Sequence, residues 1–301
     1  MIGRKSALRD TSTPGRISRL HVLIWPLLVS CPLAWPTSTL AQHITATTEV
    51  AESGKLSIAN TIDYAPFGYI GADGQPTGII IELANATADL LGVKLDLQRT
   101  PFPALMPGLA SGRFNIAWES FSITPERLDH VDFVVFLRGG LAASARPERL
   151  PDFAGERGIC GMRVGVSAGS ASDFLIDKLD HACIDKGAPD IEKVLFNTSQ
   201  DIIQAVLSDR VDIRMDDATA SSYFETVSSG RLVVLPTQYE VAPLGLAIKK
   251  GDTATAQMLI SALTVLFENG SYEAALAQYG MQGHAVSAPY LVDSIDDLRS
   301  Q

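Results

Sequence analysis

Short apolar segments typical of β-strands alternate with amphipathic segments typical of helices, and this alternation runs through the chain twice. In the first run, the strand-like LSIAN (56–60) and KLDLQRT (94–100) flank IIIELANATADLLGV (79–93), whose apolar residues have helical spacing. In the second run, MRVGVSAGS (162–170) leads into the helical ASDFLIDKLDHAC (171–183). Strands that alternate with helices form βαβ units around a mostly parallel sheet. We therefore expect an α/β protein with two similar lobes.

The first 41 residues have the pattern of an export signal. Five basic residues precede an apolar run at 20–35, and the small-residue segment PTSTLAQ that follows suits cleavage between Ala41 and Gln42. The apolar run is short and is interrupted by Pro26 and Pro32, which argues against a membrane-spanning helix. We expect residues 1–41 to be a signal peptide and the mature protein to be exported.

A second interpretation ends the leader at Cys31. The residues LVSC (28–31) resemble a bacterial lipoprotein box, in which Cys31 would be acylated and become the mature N-terminus. The PLAW that follows is still apolar, whereas PTSTLAQ is a good cleavage region, so we favour ordinary cleavage. The protein is exported under either interpretation.

The mature chain is strongly acidic. The leader holds five of the 24 basic residues and one of the 34 acidic residues, so cleavage leaves 19 basic and 33 acidic side chains and a formal charge of −14. A chain with this charge repels the phosphates of nucleic acids and the headgroups of anionic lipids. We expect neither nucleic acid nor an anionic membrane surface as a partner.

Cleavage after Ala41 leaves only Cys160 and Cys183. An even number of cysteines in an oxidising compartment favours a disulfide, which here would close a short loop. Two buried free thiols are the alternative. A catalytic cysteine is disfavoured because no motif surrounds either residue.

The chain contains few motifs that indicate chemistry on their own. The histidines of the mature chain include His130, His181 and His284, which are scattered without metal-ligand spacing, and there is no P-loop, GxSxG or dinucleotide fingerprint. In GVSAGSAS (165–172), a strand passes through Gly and Ser into a helix N-terminus, which favours an anion. An ordinary turn between strand and helix is the alternative for that segment. We expect no cofactor, no metal and no catalytic residue.

Seven segments, taken in order, resemble the periplasmic solute-binding proteins that serve polar-amino-acid ABC transporters. Together they cover residues from about 55 to 282. The segments are DYAPFGY (63–69), DGQPTGIIIELA (73–84), LMPGLASGRFNIAWESFSITPER with VDF (105–127 and 131–133), GMRVGVSAGSA (161–171), SDRVDIRMDDATASSYF (208–224), LGLAIKKGD (244–252) and ENGSYEAALAQYG (268–280). A subgroup of this family also has the CGMRVGV segment followed by a second cysteine, which strengthens the disulfide interpretation.

The resemblance implies the two-lobe fold of type II periplasmic binding proteins, an α/β fold with a ligand cleft between lobes that a two-segment hinge joins. The first lobe would comprise residues 53–143 and 240–282, and the second residues 146–237. Segments near 141–145 and 237–241 would form the hinge. Residues 283–301 would be a C-terminal extension.

In this family the arginine of the ITPER segment binds the α-carboxylate of the ligand through a bidentate, charge-assisted bond. The resemblance assigns that role to Arg127. Ser122 would hold the same carboxylate through its backbone N–H or its hydroxyl, and Ser120 would offer its backbone carbonyl to the ligand ammonium. Two aromatic residues, Tyr64 and Phe102, would sandwich the ligand side chain; the alternative is that they are core residues.

The second lobe would contribute a helix N-terminus and an acid. Ser170, Ala171 and Ser172 would bind the carboxylate through the helix N-terminus, and Asp217 would pair with the ligand ammonium. The alternative for Asp217 is a helix N-cap for the helix that follows. We expect the neighbouring Asp216 to be the more solvent-facing of the two acids.

Among the departures from the family pattern, two concern the charge of the site. Thr61 stands where the family often has an ammonium-binding Asp, and Asp63 lies nearby with an uncertain direction. Glu119 stands where a small residue is usual. If Glu119 faces the cleft as a ligand-binding residue, Arg127 is opposed by two acids, Glu119 and Asp217, and a cationic ligand is favoured. If Glu119 faces away, a neutral polar amino acid fits.

The resemblance therefore predicts a protein that is not an enzyme. It would be a monomer that captures a polar, possibly cationic, amino acid or a derivative such as an opine by hinge closure. It would be periplasmic and would deliver that ligand to a membrane permease and its ATPase subunit. The alternative is a dehydratase-like enzyme on the same fold, acting on a cyclic prephenate-like acid with Glu119 as the general acid. A receptor sensor domain is disfavoured because no apolar segment of membrane-spanning length follows the lobes.

Overall fold

The computed structural model describes residues 44–153 and 158–299. The expected signal peptide, the cleavage site and Cys31 lie outside these residues. Among the helices that are described, none combines the length and the apolar character needed to cross a membrane.

The described residues form eleven strands and ten α-helices, with two short 3₁₀ segments at Pro147–Phe153 and Gln282–His284. The strands are β1 Lys55–Asn60, β2 Tyr69–Ile70, β3 Pro76–Thr77, β4 Lys94–Arg99, β5 Ile116–Ser122, β6 Val131–Ala145, β7 Arg163–Ser167, β8 Glu192–Phe196, β9 Ile213–Asp217, β10 Val233–Lys249 and β11 Ala285–Val292. The helices are α1 Thr48–Ser53, α2 Ile79–Leu91, α3 Phe102–Ala110, α4 Pro125–Leu128, α5 Ala171–Asp185, α6 Ser199–Leu207, α7 Ala218–Val227, α8 Thr253–Glu268, α9 Ser271–Gln278 and α10 Ile295–Arg299.

One large sheet contains both runs of strands. Its order is β4-β1-β5-β10-β6-β9-β7-β8, and β11 pairs with β6 off this path. The pairs β1 with β4 and β5, and β7 with β8 and β9, are parallel, as the alternation of strands and helices predicts. The long strands β6 and β10 lie between these two parallel groups and run antiparallel to each other. They pair at the segments expected to form the hinge, where Tyr239 lies opposite Leu141 and Gln238 opposite Ala142.

The apolar pattern of helix α2 matches the side chains that it buries. Its apolar residues recur at helical spacing, so that Ile80, Leu83 and Ala84 are buried against the sheet. The helix ends at Gly92, whose φ of 68° is the left-handed conformation that favours glycine at a helix end. The predicted helix over 79–93 is therefore present and stops at the predicted glycine.

Separate apolar clusters lie against the two parallel groups. Leu56 and Ile58 of β1 pack with α2 and α8 in the first, whereas Val164 and Val166 of β7 pack with α5 and β9 in the second. The disulfide that the sequence favours is formed: Cys160 and Cys183 join the segment before β7 to α5.

The C-terminal residues form regular structure that the sequence analysis did not anticipate. After Gln282, β11 pairs antiparallel with β6, and Tyr290 lies opposite Val135. Val292 is fully buried in the cluster that contains Phe133. The described part of the expected extension, up to Arg299, is thus an edge of the sheet rather than a loose tail.

Candidate ligand-binding site

A cavity lies where the carboxyl ends of the two parallel strand groups meet. Loops and helix starts that follow β1, β4 and β5 line it from one group, and those that follow β7, β8 and β9 line it from the other. Ligands bind at this edge in open α/β sheets, because backbone groups and helix N-termini are unpaired there. The lining residues are Thr61, Asp63, Tyr64, Phe102, Ser120, Phe121, Ser122, Arg127, Leu141, Ser167, Ser170, Ala171, Ser172, Asn197, Ser199, Asp216 and Asp217.

Arg127 lies in the one-turn helix α4 directly after β5. Thr124 begins this helix by accepting a hydrogen bond from the backbone N–H of Arg127 through its hydroxyl, and Pro125 occupies the first helical position, which needs no N–H. The side chain is thereby directed into the cavity wall, where it is 7% exposed. The rings of Phe102 and Phe121 lie 5.9 and 5.5 Å from its guanidinium carbon.

The guanidinium of Arg127 donates two hydrogen bonds to carbonyl groups rather than to acids. Nη1 donates to the carbonyl oxygen of Ser122 at 2.6 Å, and Nη2 donates to that of Gly169 at 2.7 Å. Burial lowers the pKa of Arg127 to about 10, and the charge of Glu126 opposes this. Within residues 44–153 and 158–299, no carboxylate forms an ion pair with Arg127. The cavity therefore contains a buried cation that lacks an anion.

The N-terminus of α5 faces the same cavity. Ser170 is the N-cap, and its hydroxyl accepts a hydrogen bond of 3.2 Å from the backbone N–H of Asp173. Ala171 and Ser172 follow as the first helical residues, whose N–H groups have no acceptor within a helix. Unpaired N–H groups and the positive end of the helix dipole both favour an anion here.

Asp216, Asp217 and Tyr64 form the acidic part of the cavity. Asp216 accepts a 2.7 Å hydrogen bond from the hydroxyl of Tyr64 and forms an ion pair with the fully buried Arg214. Asp216 is the more exposed of the two acids, as expected, but its side chain is only 15% exposed, because both partners hold it inside the cavity wall. Burial, followed by the charges of Asp216 and Asp217, raises the pKa of Tyr64 well above its usual value.

Asp217 has the N-cap role that the sequence analysis left open, and it lines the cavity as well. Its Oδ1 accepts hydrogen bonds from the backbone N–H groups of Thr219 at 2.8 Å and Ala220 at 3.2 Å, which begin α7. Burial, with the neighbouring charge of Asp216, raises the pKa of Asp217 to about 6. One oxygen thus caps the helix while the residue remains part of the cavity wall.

Glu119 does not line the cavity, although the sequence analysis included it among the ligand-binding residues. The side chain is 1% exposed, and its Oε2 accepts hydrogen bonds from the hydroxyl of Thr61 at 3.0 Å and from Nδ2 of Asn60 at 3.1 Å. Its Oε1 accepts a bond of 3.2 Å from the backbone N–H of Ser120. Burial raises the pKa of Glu119 to about 7. Successive side chains of a strand point to opposite faces, so Glu119 and Ser120 of β5 diverge.

The other predicted residues come together in the cavity. These are Tyr64, Phe102, Ser120, Ser122, Arg127, Ser170, Ala171, Ser172 and Asp217. The hydroxyl of Ser120 is buried and has no hydrogen-bond partner among the described residues. It is therefore free to bond a ligand.

Several residues that line the cavity were not among those predicted from the sequence. Thr61 and Asp63 were noted only as departures, whereas Ser167, Asn197 and Ser199 were not considered. Ser167 is the last residue of β7, and Asn197 and Ser199 follow the end of β8, so their position at the carboxyl edge of a strand was the available signal.

The cavity wall contains more acidic than basic side chains. Arg127 is the one cation among the lining residues, against Asp63, Asp216 and Asp217. Arg214 lies behind the wall and neutralises Asp216. One end of the cavity therefore attracts an anion, and the remaining acids attract a ligand with one or more cationic groups. Nowhere in the described residues do three or more His, Cys, Asp or Glu side chains gather as they would around a metal ion.

Comparison with known proteins agrees with this geometry. The sequence model of a family described as "Bacterial extracellular solute-binding proteins, family 3" matches residues 56–282. The arginine-binding protein ArgT of Corynebacterium glutamicum is 25% identical over 234 residues, which are 77% of this chain and 76% of that protein. The crystal structure of an ancestral amino acid-binding protein, AncCDT-1, described as a precursor of cyclohexadienyl dehydratase, is 26% identical with a TM-score of 0.68, and the match covers 77% of this chain and 97% of that chain.

A partial similarity points to an enzyme. The cyclohexadienyl dehydratase of Pseudomonas aeruginosa is 34% identical over 113 residues, but these are 37% of this chain and 42% of that protein.

Proposed function

The chain belongs to the bacterial extracellular solute-binding proteins, family 3, and from this premise we propose that it captures a cationic amino acid for an ABC transporter. The observation that carries this proposal is the state of Arg127, a buried cation without an anionic partner in the described protein. A buried charge without a partner is costly, so the site gains stability when a carboxylate enters. The N-terminus of α5 and the free hydroxyl of Ser120 add further bonds at that end.

The other end of the ligand meets acids. Asp217, ionised above a pKa of about 6, pairs with the α-ammonium group, while Asp63, which among the described residues has no cation such as Arg214 behind it in an ion pair, favours a second cationic group on the ligand side chain. The rings of Tyr64 and Phe102 lie on either side of the ligand side chain. The relative from Corynebacterium glutamicum, an arginine-binding protein, supports the choice of a cationic ligand.

Ligand capture proceeds by closure of two lobes, which we take as residues 53–143 with 240–282, and 146–237. Two hydrogen bonds across the cavity support this division: Tyr64 donates to Asp216, and Arg127 donates to the carbonyl of Gly169. The long strands β6 and β10 connect the two parts. A ligand that contacts both parts stabilises the closed arrangement relative to the open one.

The closed protein then delivers its ligand to a membrane permease and its ATPase subunit. A periplasmic location and removal of residues 1–41 complete this proposal, and the leader-like sequence supports them. The protein acts as a monomer in this scheme.

The enzyme alternative is disfavoured by the position of its general acid. Glu119 has the raised pKa that such a role needs, but its carboxyl lies behind Thr61 and does not line the cavity. The partial match to a dehydratase covers little more than a third of this chain. The mature protein should therefore leave a cyclic prephenate-like acid unchanged, and turnover of such an acid would contradict the proposed function.

The experiment that tests capture is calorimetric titration of the mature protein, freed of bound ligand by unfolding and refolding, with L-arginine, L-lysine and L-glutamine. The wild type should bind L-arginine, and a variant in which Arg127 is replaced should bind it much more weakly. We expect Arg127→Ala to weaken binding at least ~100-fold, because two charge-assisted hydrogen bonds are lost. Arg113→Ala is the matched control, since Arg113 is exposed and lies outside the cavity. Tight binding retained by Arg127→Ala would refute the carboxylate role.

A further inference from the structure

A buried carboxyl group lies directly behind one residue of the cavity wall. Glu119 is almost completely buried, and among the residues described it has no ion-pair partner. Its Oε2 lies 3.0 Å from the hydroxyl oxygen of Thr61, and Thr61 itself lines the cavity. Burial of a carboxyl group without an ion-pair partner costs free energy, which suggests that Glu119 has a role other than packing.

Ionised Glu119 determines the direction in which the hydroxyl of Thr61 donates its hydrogen bond. A threonine hydroxyl has one hydrogen to donate and two lone pairs, whereas an ionised carboxylate can only accept. When Glu119 is ionised, the hydrogen of Thr61 is therefore directed to it, and only lone pairs of the hydroxyl remain for the cavity. A ligand atom that meets this hydroxyl must be a donor.

Asp63 is coupled to the same hydroxyl. Burial raises the pKa of Asp63, and the hydroxyl of Thr61 lowers it, followed by the charge of Arg99. One hydroxyl hydrogen thus lies between two carboxyl groups, Glu119 behind the wall and Asp63 in the cavity. When ionised Glu119 holds that hydrogen, Asp63 keeps its full capacity to accept from a ligand.

We propose that Glu119 is a positioning residue for ligand specificity: by holding the hydrogen of Thr61, it makes the Thr61 hydroxyl a pure acceptor and leaves the oxygens of Asp63 free to accept, so that the two residues select a ligand side chain rich in N–H donors, such as a guanidinium. This inference rests on the proposed function, because it concerns the side-chain end of a ligand that Arg127 holds by its carboxylate. It replaces the direct role in the cavity that the sequence suggested for Glu119 with an indirect one.

A purely structural role is the competing explanation. Asn60 donates to Glu119, and its Oδ1 accepts a 2.8 Å bond from the backbone N–H of Ile62, which has a positive φ of 53°. Glu119 could simply hold this turn in place. The two explanations differ in what protonation of Glu119 does, because a protonated carboxyl can donate to Thr61 and return the threonine hydrogen to the cavity, while the turn keeps its shape.

The test compares two ligands that share the α-amino and α-carboxylate groups, L-arginine and L-glutamine, by calorimetric titration. The measured quantity is the ratio of their affinities, in which effects on the shared groups cancel. We expect Thr61→Val, which keeps the shape of the side chain and removes the hydroxyl, to lower the preference for L-arginine about tenfold. Thr61→Ser, which restores the hydroxyl, is the matched control and should keep the preference.

The pH profile separates positioning from structure. Burial raises the pKa of Glu119 to about 7, so the wild-type preference for L-arginine should fall by up to about tenfold between pH 8 and pH 6 as Glu119 gains its proton. Glu119→Gln cannot titrate, so its preference should not change over this range. The charges that act on this region are Asp63 beside Glu119, with Arg99, Asp201 and Asp216 around Asp63, and all of them remain in the variant.

Three results would overturn the inference. The first is a preference that Thr61→Val leaves unchanged, and the second is a pH profile that Glu119→Gln shares with the wild type. In both, the wild type still binds α-amino acids, so the proposed function stands while the specificity role fails. The third is a wild type that binds neither L-arginine nor L-glutamine nor any other α-amino acid, which would overturn the proposed function and the inference together.

Discussion

The hydroxyl of Tyr64 lies 2.7 Å from Oδ1 of Asp216 and donates a hydrogen bond to it across the cavity. Tyr64 follows β1, in one parallel group of strands, whereas Asp216 lies in β9, in the other. The bond joins the two sides of the site without any contribution from a ligand. Asp216 is fixed in turn by the buried Arg214.

Tyr64→Phe should loosen the closed arrangement. The variant keeps the ring, whose centroid lies 5.2 Å from that of Phe67, and loses the bond to Asp216. A hydrogen bond to a charged group contributes about 1.5–3 kcal/mol, so we expect ligand affinity to fall by about 10- to 100-fold. We also expect the ligand-free protein to have a larger radius of gyration by small-angle X-ray scattering. Tyr223→Phe, outside the cavity lining, should match the wild type.

Loss of a charge at Asp217 should weaken binding and remove a pH dependence. Asp217→Asn keeps an oxygen that can accept from Thr219 and Ala220, so α7 retains its cap. The missing charge should cost about 1.5–3 kcal/mol of amino-acid binding. Because the pKa of Asp217 is raised to about 6, its carboxyl is ionised above that pH, where wild-type affinity should be highest. Affinity should fall as the pH drops through this value and the carboxyl gains a proton.

Titration from pH 5 to pH 8 checks this prediction calorimetrically. Asp217→Asn should lack the part of the wild-type decline that is centred near pH 6. Asp190→Asn, at an exposed position outside the cavity, serves as the control. A decline of the same size in Asp217→Asn would assign the titration to another group.

Glu119→Gln should change how stability depends on pH. The folded protein holds the Glu119 proton up to a pKa of about 7, whereas the unfolded chain releases it near 4.5. The folded state therefore binds more protons in this window, and wild-type stability falls as the pH rises through it. The fall should reach about 3 kcal/mol, at 1.36 kcal/mol per pKa unit.

Urea unfolding of the ligand-free proteins at pH 5 and pH 8 measures this difference. Glutamine has no proton to lose, so the variant should gain stability relative to the wild type at the higher pH. Asp217 titrates in both proteins and cancels in the comparison. An equal stability difference at both pH values would mean that Glu119 does not titrate in this range.

Removal of the disulfide should destabilise the protein without affecting the cavity. Cys160 and Cys183 are 23 residues apart, and a crosslink over a loop of this length stabilises a protein by about 3 kcal/mol. The double variant Cys160→Ala/Cys183→Ala should therefore melt at a lower temperature and bind the ligand with unchanged affinity, because neither cysteine lines the cavity. A reductant should lower the melting temperature of the wild type and leave that of the variant unchanged.

The C-terminal strand should contribute to stability although it lies beyond the family match. Val292 is fully buried with Phe133 and Leu128, so Val292→Ala should cost about 1–3 kcal/mol in urea unfolding. Ser287→Ala, at an exposed position of the same strand, should have almost no effect. A Val292→Ala variant as stable as the wild type would show that β11 does not stabilise the folded protein.

Local patterns in the sequence were enough to predict much of the fold. The alternation of strands and helices, the end of α2 at Gly92 and the pairing of Cys160 with Cys183 follow from residues that lie near each other in the chain or from composition. The resemblance to a family added residues distant in sequence, and the structure brings nine of the ten together in one cavity. Arg127 is the clearest case, because its surrounding segment specifies a one-turn helix directly after a strand.

What the tertiary structure decided depends on neighbours that no local pattern encodes. The sequence left open whether Glu119 faces the cleft, and the donors on Asn60, Thr61 and Ser120 are what hold it behind the wall. The sequence did not predict that Asp216 is held in the cavity wall, because its partners, Tyr64 and Arg214, become its neighbours only when two parts of the chain meet. Side chains of the same type differ in burial, pKa and direction according to the groups packed around them. The sequence by itself therefore determined the class of fold and the cation of the site, and the tertiary packing decided which acids face the ligand.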